Sequence, residues 1–181
     1  MTRPWVLAQM GLPGAGKTAL AQAISCSFDA EIISRDDIRS AMFKKCTYTI
    51  AEKKAAFAGL LAAVEVAASL GRSSIVDGVA FSTVGDLEAV VSAAEKGGAR
   101  PLVVWLDCPV DVAARRVEDD RVTGRHTAAD RDAALVRRVH ASFRAIPETA
   151  YRLDATLPLT TLVPVLTDFV ERCAQQENEI R

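Results

Sequence analysis

Residues 11–18 have the sequence Gly-Leu-Pro-Gly-Ala-Gly-Lys-Thr, which satisfies the pattern Gly-x-x-x-x-Gly-Lys-[Ser/Thr] of a phosphate-binding loop. An apolar run from Trp5 to Met10 ends directly before the loop, and the residues from Thr18 to Ser27 have helical apolar spacing. The order of strand, glycine-rich loop and helix suits the pattern, because the loop N–H groups and the helix N-terminus together bind anions. The stretch therefore predicts a site for the phosphates of a nucleotide.

The mechanism of the motif assigns roles to the residues of the loop. Successive backbone N–H groups point at phosphate oxygens, Lys17 reaches the β- and γ-phosphates, and the Thr18 hydroxyl binds Mg²⁺. We therefore predict ATP and Mg²⁺ as cofactors. The predicted nucleotide-binding residues of this region are Gly11, Pro13, Gly14, Ala15, Gly16, Lys17, Thr18 and Ala19.

A second apolar segment, Ser74–Asp77, ends in an acid that could hold Mg²⁺ through water. The alternative is that this strand-end Asp77 caps a turn.

The residues after Asp77 disfavour several classes of P-loop protein. Motor-type and transporter-type ATPases usually carry a Glu that activates water directly after this Asp, but here the next residue is Gly78, so hydrolysis as the main task is disfavoured. Val79 stands where nucleoside monophosphate kinases have the aromatic residue of Asp-Gly-aromatic-Pro-Arg. Asn178 is the only asparagine, which excludes the Asn-Lys-x-Asp segment of a Ras-like GTPase.

Short apolar segments alternate with segments of helical period along the rest of the chain. The predicted strands after the first are Glu31–Ser34, Ser74–Asp77, Pro101–Asp107 and a short strand around Leu153. The predicted helices are 18–27, 36–43, 51–70, 84–96, 109–121, 129–145 and 161–176. This alternation predicts an α/β fold, a three-layer sandwich around a five-stranded, mainly parallel sheet. We expect one domain over residues 1–181, with the tail 175–181 as the candidate for disorder.

The composition limits the classes of partner. Lys and Arg total 22 against 23 Asp and Glu, so the formal net charge of −1 gives no general attraction to nucleic acid or an anionic membrane. No apolar run approaches the roughly 20 residues of a membrane helix, and the glycine-rich loop begins too early for a signal peptide. The four cysteines lie far apart and form no Cys-x-x-Cys pair, which favours reduced thiols over a metal site. We expect a cytoplasmic protein with no membrane partner.

The segment 33–39, with the sequence Ile-Ser-Arg-Asp-Asp-Ile-Arg, resembles the strand-2 segment of a family of small P-loop kinases. These kinases phosphorylate hydroxyl groups and include polynucleotide 5′-kinases, zeta toxins, chloramphenicol phosphotransferase and gluconate-type kinases. The resemblance covers nearly the whole chain. It implies a P-loop NTPase-type fold with a short helical lid, and it places Asp36 on the general base of the family.

Asp36 would lie at the carboxyl edge of the sheet, where it could deprotonate an acceptor hydroxyl. The alternative is that Asp36 or Asp37 caps the following helix. Arg39, one helical turn further on, could bind a charged or polar group of the acceptor, so Asp36 and Arg39 are the predicted substrate residues; a solvated surface arginine is the alternative. The lysine pairs 44–45 and 53–54 could face an acidic acceptor, but lysine pairs on helices are more often solvated surface.

The segment from about 115 to 130 resembles the lid of these kinases. Its arginines are Arg115, Arg116, Arg121 and Arg125. We predict Arg121 and Arg125 as catalytic residues that, with Lys17, neutralise charge on the transferred phosphoryl group, and Arg116 as a contact of adenine. The alternative is a solvated helix whose arginines pair with the acids at 118–120. Residues 154–156, Asp-Ala-Thr, resemble the loop that passes the adenine base.

Together these features predict an ATP- and Mg²⁺-dependent kinase that acts on a hydroxyl of a small molecule such as an antibiotic, a sugar or a nucleoside. The 5′-hydroxyl of a nucleic acid is an alternative acceptor, which the resemblance permits and the near-neutral charge does not encourage. A nucleotide-dependent switch or ATPase is a second alternative. The position of Asp36 favours a kinase over a switch, because a switch needs no acceptor base. The acceptor and the oligomeric state are left open.

Overall fold

The computed structural model describes residues 3–123, 132–143 and 146–175. The strands are β1 (Trp5–Gly11), β2 (Glu31–Ser34), β3 (Ser74–Asp77), β4 (Arg100–Asp107) and β5 (Tyr151–Asp154). The helices of the described residues are α1 (Lys17–Phe28), α2 (Arg35–Met42), α3 (Ile50–Ser69), α4 (Val84–Lys96), α5 (Val110–Val122), α6 (Ala133–Ser142) and α7 (Leu159–Gln175). The strands form one sheet in the order β2-β3-β1-β4-β5, and all neighbouring pairs are parallel. The predicted α/β fold is confirmed.

Strand β1 lies at the centre of the sheet, and all seven of its residues are buried. Trp5 and Leu7 belong to one apolar cluster, whereas Val6, Ala8 and Met10 belong to another. The reason is that successive side chains of a strand point to opposite faces of the sheet. The first cluster joins the sheet to α1, α5 and α7, and the second joins it to α3 and α4. These are the three layers that the sequence predicts.

The start of α2 differs from the prediction. Ser34 has an extended backbone and is the N-cap, and its Oγ accepts a hydrogen bond from Asp37 N at 3.2 Å. Asp36 and Asp37 lie inside the first turn, where acidic side chains interact favourably with the helix dipole. The interpretation of either aspartate as the cap is therefore wrong. Serine caps as well as aspartate does, so residue preference alone could not decide between them.

The ends of most other elements are close to their predictions. Helix α6 is the exception, because it covers only Ala133–Ser142 of the predicted helix 129–145: the Asp132 side chain caps its start, and Phe143 is its C-cap. Helix α4 has the predicted bounds, and α7 begins at Leu159, slightly before its predicted start. Residues 176–181 of the tail predicted as disordered lie outside the described residues. No helix in the described ranges is both long and apolar enough to cross a membrane.

The carboxyl ends of β1, β2 and β3 lie side by side. Ser34 and Asp77 are paired in register at the ends of β2 and β3. Gly11, at the end of β1, donates its backbone N–H to Ala80 O at 3.2 Å, just beyond the end of β3. Parallel sheets bind ligands outside the carboxyl ends of their strands. The fold thus brings the residues predicted from three separate parts of the sequence to one edge.

Candidate nucleotide and acceptor site

The glycine-rich loop connects β1 to α1, and its backbone requires glycine at two positions. Gly14 and Gly16 have φ of 83° and 95°, in the left-handed region that side chains disfavour. A Cβ atom on Gly14 would also lie 2.4 Å from Ala113 O and 2.9 Å from Val117 Cγ2. Helix α5 therefore packs directly against the loop.

Lys17 is nearly buried at the first position of α1. Its Nζ donates hydrogen bonds to Gly11 O at 2.8 Å and to Leu12 O at 2.9 Å. The ammonium group is thus held above the loop by the backbone of the loop itself. This is the place from which the motif requires it to reach the β- and γ-phosphates.

Thr18 and Asp77 are brought together although 59 positions separate them in the sequence. Thr18 Oγ1 donates to the Asp77 carboxylate, with distances of 3.1 and 3.0 Å to the two oxygens. A hydroxyl and a carboxylate are hard oxygen donors and fit Mg²⁺, which takes one or two protein ligands and completes its shell with phosphates and water. In the described part of the chain, no group of three or more His, Cys, Asp and Glu side chains could hold a metal ion. The Mg²⁺ site stays a prediction.

One cavity of about 560 Å³ lies outside the loop and has the size of a ligand pocket. Its lining includes residues of the loop and the two residues that the sequence associates with adenine. The lining residues are Gly14, Ala15, Gly16, Lys17, Thr18, Ala19, Gln22, Asp77, Gly78, Arg116, Asp120, Ala155, Leu157, Pro158, Leu159 and Leu162. We call it the nucleotide cavity.

The two features that the sequence associates with adenine are in contact. Arg116 Nη1 donates to Ala155 O at 2.8 Å. Thr156 donates to Asp154 Oδ1 from its hydroxyl at 2.6 Å and from its backbone at 3.0 Å, and these hydrogen bonds lower the pKa of Asp154. The loop after β5 is therefore held in a fixed turn beside α5, in the wall of the nucleotide cavity.

A second cavity of about 250 Å³ also has Lys17 in its wall. We call it the acceptor cavity. Its wall consists of Pro13, Lys17, Arg35, Asp36, Arg39, Tyr48, Lys53, Gly78, Val79, Ala80, Phe81, Ser82, Asp86, Leu135 and Val139. Asp36 and Arg39 are the members that the sequence predicts as substrate residues. Lys53 lies in this wall, although the sequence favours solvated surface for its lysine pair.

Asp36 and Arg39 form an ion pair in the wall of the acceptor cavity. Arg39 Nη1 donates to Asp36 Oδ1 at 2.6 Å, and Arg39 is only 3% exposed whereas the Asp36 side chain is 46% exposed. The alternative of a solvated surface arginine is therefore wrong. Gly78 lies behind the carboxylate, because a Cβ atom added there would be 3.4 Å from Asp36 Oδ2. Asp36 is thus held by Arg39 and lies in the cavity wall with little space between it and Gly78.

Tyr48 is a neighbour of this ion pair that sequence reasoning missed. The Arg39 guanidinium lies 5.1 Å from the centre of the Tyr48 ring, within the range of a cation–π contact. Tyr48 has a φ of 57°, which is strained for an aromatic residue. A strained backbone is retained where surrounding contacts impose it, and it is frequent at functional sites.

Glu52 imposes that conformation. Its carboxylate accepts from Tyr48 N at 2.6 Å, from Thr47 N at 2.9 Å and from Thr47 Oγ1 at 2.6 Å. The hydrogen bond from the Thr47 hydroxyl is the main reason why the pKa of Glu52 is lowered. The sequence did contain a signal, because Thr49 and Glu52 have the spacing of a capping box at the start of α3. A series of contacts therefore leads from Glu52 through Tyr48 and Arg39 to Asp36.

The predicted lid residues are only partly described. Arg121 lies on the exposed surface of α5 and is paired with Glu118, a hydrogen bond that raises the pKa of Arg121. Arg121 is not among the lining residues of either cavity. Arg125 lies outside the described residues. The catalytic role of both arginines stays a prediction.

The sequence matches a family model described as an AAA domain over residues 6–146, which is most of the chain. The chain belongs to this family. This match, together with the kinases described below, confirms the predicted resemblance to the P-loop kinases. A shikimate kinase from Corynebacterium glutamicum is 27% identical over 126 residues, which cover 69% of this chain and 71% of that kinase.

Two solved structures have the same fold over nearly their whole length. The Mycobacterium tuberculosis APS kinase, solved in complex with AMPPNP and APS, has a TM-score of 0.70 and 16% identity over 94% of this chain and 99% of its own. A gluconokinase from Sinorhizobium meliloti has a TM-score of 0.68 and 19% identity over 98% of each chain. At these identities the likeness shows the fold, the kinase-type P-loop α/β sandwich, and no more.

Proposed function

We propose that this protein is an ATP- and Mg²⁺-dependent kinase that transfers the γ-phosphate to a hydroxyl group of a small molecule. The observation that carries this proposal is that Lys17 and Gly78 line both cavities. Lys17, which would hold the γ-phosphate, therefore borders both the nucleotide cavity and the cavity that contains Asp36. A nucleotide switch has no need of a second cavity with a carboxylate at this junction.

In this proposal the acceptor hydroxyl lies between Asp36 and the γ-phosphate. Asp36 takes the hydroxyl proton as the oxygen attacks the γ-phosphorus in line, and the bond from that phosphorus to the β,γ-bridging oxygen breaks, so that ADP leaves. Arg39 holds the Asp36 carboxylate in place through the 2.6 Å ion pair. Lys17 stabilises the charge that builds up on the phosphate oxygens.

The nucleotide in this proposal occupies the nucleotide cavity. The loop N–H groups bind the phosphates, and Arg116, held on Ala155 O, lies where it can stack on the base. Thr18 and Asp77 would hold Mg²⁺, which when bound neutralises the β- and γ-phosphate oxygens. The similar kinases support ATP as the nucleotide, since one of them was solved with AMPPNP.

The size of the acceptor cavity favours a small molecule over a nucleic acid. Its volume of about 250 Å³ is below that of pockets for drug-sized ligands, about 300–1,000 Å³. The wall contains the almost completely buried apolar residues Val79 and Phe81 together with charged side chains. The near-neutral chain offers no general attraction to a polyanion. The names of the similar shikimate kinase and gluconokinase also point to small acceptors.

A screen of acceptors tests this function. The protein is incubated with Mg²⁺ and ATP and with sugars, sugar acids, nucleosides, antibiotics or 5′-hydroxyl oligonucleotides, and ADP and phosphorylated product are measured together. We expect ADP release to depend on one class of small compound and to match the amount of its phosphate ester. If no compound changes the rate of ADP release, the protein is instead a hydrolase or a switch.

A further inference from the structure

Gln9 is a buried amide in the central strand of the sheet. It interrupts the otherwise apolar strand β1 and is only 1% exposed. Its Nε2 and Oε1 atoms are both buried, and neither has a hydrogen-bond partner among the residues that the structure describes. Glutamine is mostly an exposed residue, and an amide that is buried without hydrogen bonds costs free energy. The place of Gln9 in the apolar core therefore needs an explanation.

The register of the sheet places Gln9 beside Asp77. Leu7 of β1 pairs in register with Ile75 of β3, and both belong to the apolar cluster on the α1 side of the sheet. Gln9 and Asp77 each follow two residues later in the same two strands. Because side chains alternate along a strand, Gln9 and Asp77 also lie on the α1 side, one strand spacing of about 4.8 Å apart.

Asp77 is a nearly buried carboxylate, with 8% exposure. Thr18 Oγ1 donates to it from α1. A carboxylate has about four acceptor sites and a glutamine amide has two N–H donors, so the side chain of Gln9 can supply what Asp77 accepts. The two groups form no direct hydrogen bond in this structure, so either a rotation of the Gln9 side chain or one buried water has to connect them.

We infer that Gln9 is a positioning residue of the Mg²⁺ site, whose amide holds the Asp77 carboxylate, directly or through one buried water, in the orientation that serves the ion. This inference rests on the Mg²⁺ site of the proposed function. Groups that hydrogen-bond to metal ligands orient them, and their loss typically lowers metal affinity by about 10–100-fold. Gln9 acts on Asp77 and not on the nucleotide, because Asp77 lines the nucleotide cavity whereas Gln9 is not among its lining residues.

The gain in nucleotide affinity that Mg²⁺ provides is the quantity that tests this role. AMPPNP is titrated by calorimetry into the protein with Mg²⁺ and, separately, with EDTA, and the ratio of the two affinities is the Mg²⁺ gain. Gln9→Met keeps the length of the side chain and removes both polar groups. We expect this variant to lower the Mg²⁺ gain by about three- to tenfold, since the phosphates and Thr18 still bind the ion. The affinity in EDTA should be unchanged, and a higher Mg²⁺ concentration should recover the lost binding.

Ser74 provides a matched control. Its hydroxyl is completely buried and likewise has no hydrogen-bond partner among the described residues. It lies three residues before Asp77 in β3, and hence on the opposite face of the sheet. Ser74→Ala should leave the Mg²⁺ gain unchanged. In EDTA without nucleotide neither variant should lower the melting temperature, because each removes polar atoms that make no hydrogen bond.

Three results would overturn the inference: an unchanged Mg²⁺ gain in Gln9→Met, an equal loss of affinity with Mg²⁺ and with EDTA, or the same loss of Mg²⁺ gain in Ser74→Ala. Gln9→Leu removes the same two polar groups and takes the place of Gln9→Met if the latter does not fold. Failure of the kinase proposal has a different signature, because the Mg²⁺ gain would then depend on Gln9 and yet no compound in the acceptor screen would be phosphorylated.

Discussion

The nucleotide cavity and the acceptor cavity meet at Lys17, but they are built differently. One side of the nucleotide cavity is a contiguous stretch of sequence whose backbone N–H groups would contact the phosphates. The acceptor cavity is built from side chains of α2, α3, α4 and α6 and from the segment after β3. A ligand that is common to many kinases can be bound by one motif. A ligand that is particular to one kinase is bound by residues that only the fold brings together.

The largest expected effect comes from Lys17, the side chain that both cavities share. Lys17→Met keeps the apolar stem of this nearly buried residue and removes the charge. We expect phosphoryl transfer to fall by about 10²–10³-fold or more, because a preorganised charge in the site is lost. ATP affinity should fall as well. Transfer is measured by product formation, and ATP affinity is measured by calorimetry. Unchanged transfer in a folded variant would refute the assignment of the loop.

A substitution of Arg39 distinguishes the two cavities experimentally, because Arg39 lines only the acceptor cavity. Arg39→Met leaves the half-exposed Asp36 without its ion-pair partner, and we expect transfer to fall by roughly 10- to 100-fold, within the 1.5–3 kcal/mol of a charged hydrogen bond. ATP affinity should be unchanged. Arg39→Lys keeps the charge without the planar fork and should restore part of the rate. A loss of ATP affinity equal to the loss of transfer would show that Arg39 acts on the fold or the nucleotide.

Tyr48 should have a smaller effect that depends on its ring. Tyr48→Leu removes the cation–π contact that holds Arg39, and a contact of this kind is worth about 0.5–2 kcal/mol, so we expect transfer to fall about two- to thirtyfold. Tyr48→Phe keeps the ring and should stay close to the wild-type rate. The rates of the two variants are compared at saturating ATP. If both variants lower the transfer rate by the same factor, the effect comes from the Tyr48 hydroxyl or from its strained backbone and not from the ring.

Arg121 is expected to have the smallest effect, and its test is a comparison of two exposed arginines. Its side chain pairs with Glu118 on the surface of α5, so a catalytic role requires it to move over the nucleotide cavity. Arg121→Ala should lower turnover by about threefold with little change in ATP affinity. Arg172, paired with Asp168 on α7, is equally exposed and serves as the control. If Arg172→Ala lowers turnover by the same factor, Arg121 has no specific catalytic role, and the end of α5 is ordinary helix surface.

The sequence predicted the fold and the nucleotide side well. The loop, the hydrogen-bonded pair Thr18–Asp77 that is predicted to hold Mg²⁺, and the contact of Arg116 with Ala155 all follow from local patterns at strand ends, and parallel strands bring such ends together. The acceptor side was predicted only at Asp36 and Arg39, which are close in sequence. Tyr48 was not predicted, and Lys53 was expected to be solvated surface, because their place in the cavity wall depends on the packing of α3 against α2, and no local pattern reports which face of an exposed helix borders a cavity.

The central claim is that the two cavities form one kinase site with Asp36 as the base, and Asp36→Asn tests it most directly. Since Ser34 is the cap of α2, the substitution leaves the helix start intact. We predict that transfer to the acceptor found in the screen falls by about 10²–10⁴-fold, as for a positioned general base, while Mg²⁺-ATP binds with unchanged affinity. Asp37→Asn, which alters the exposed neighbour outside the cavity wall, should keep the wild-type rate. A wild-type transfer rate in Asp36→Asn would contradict the account.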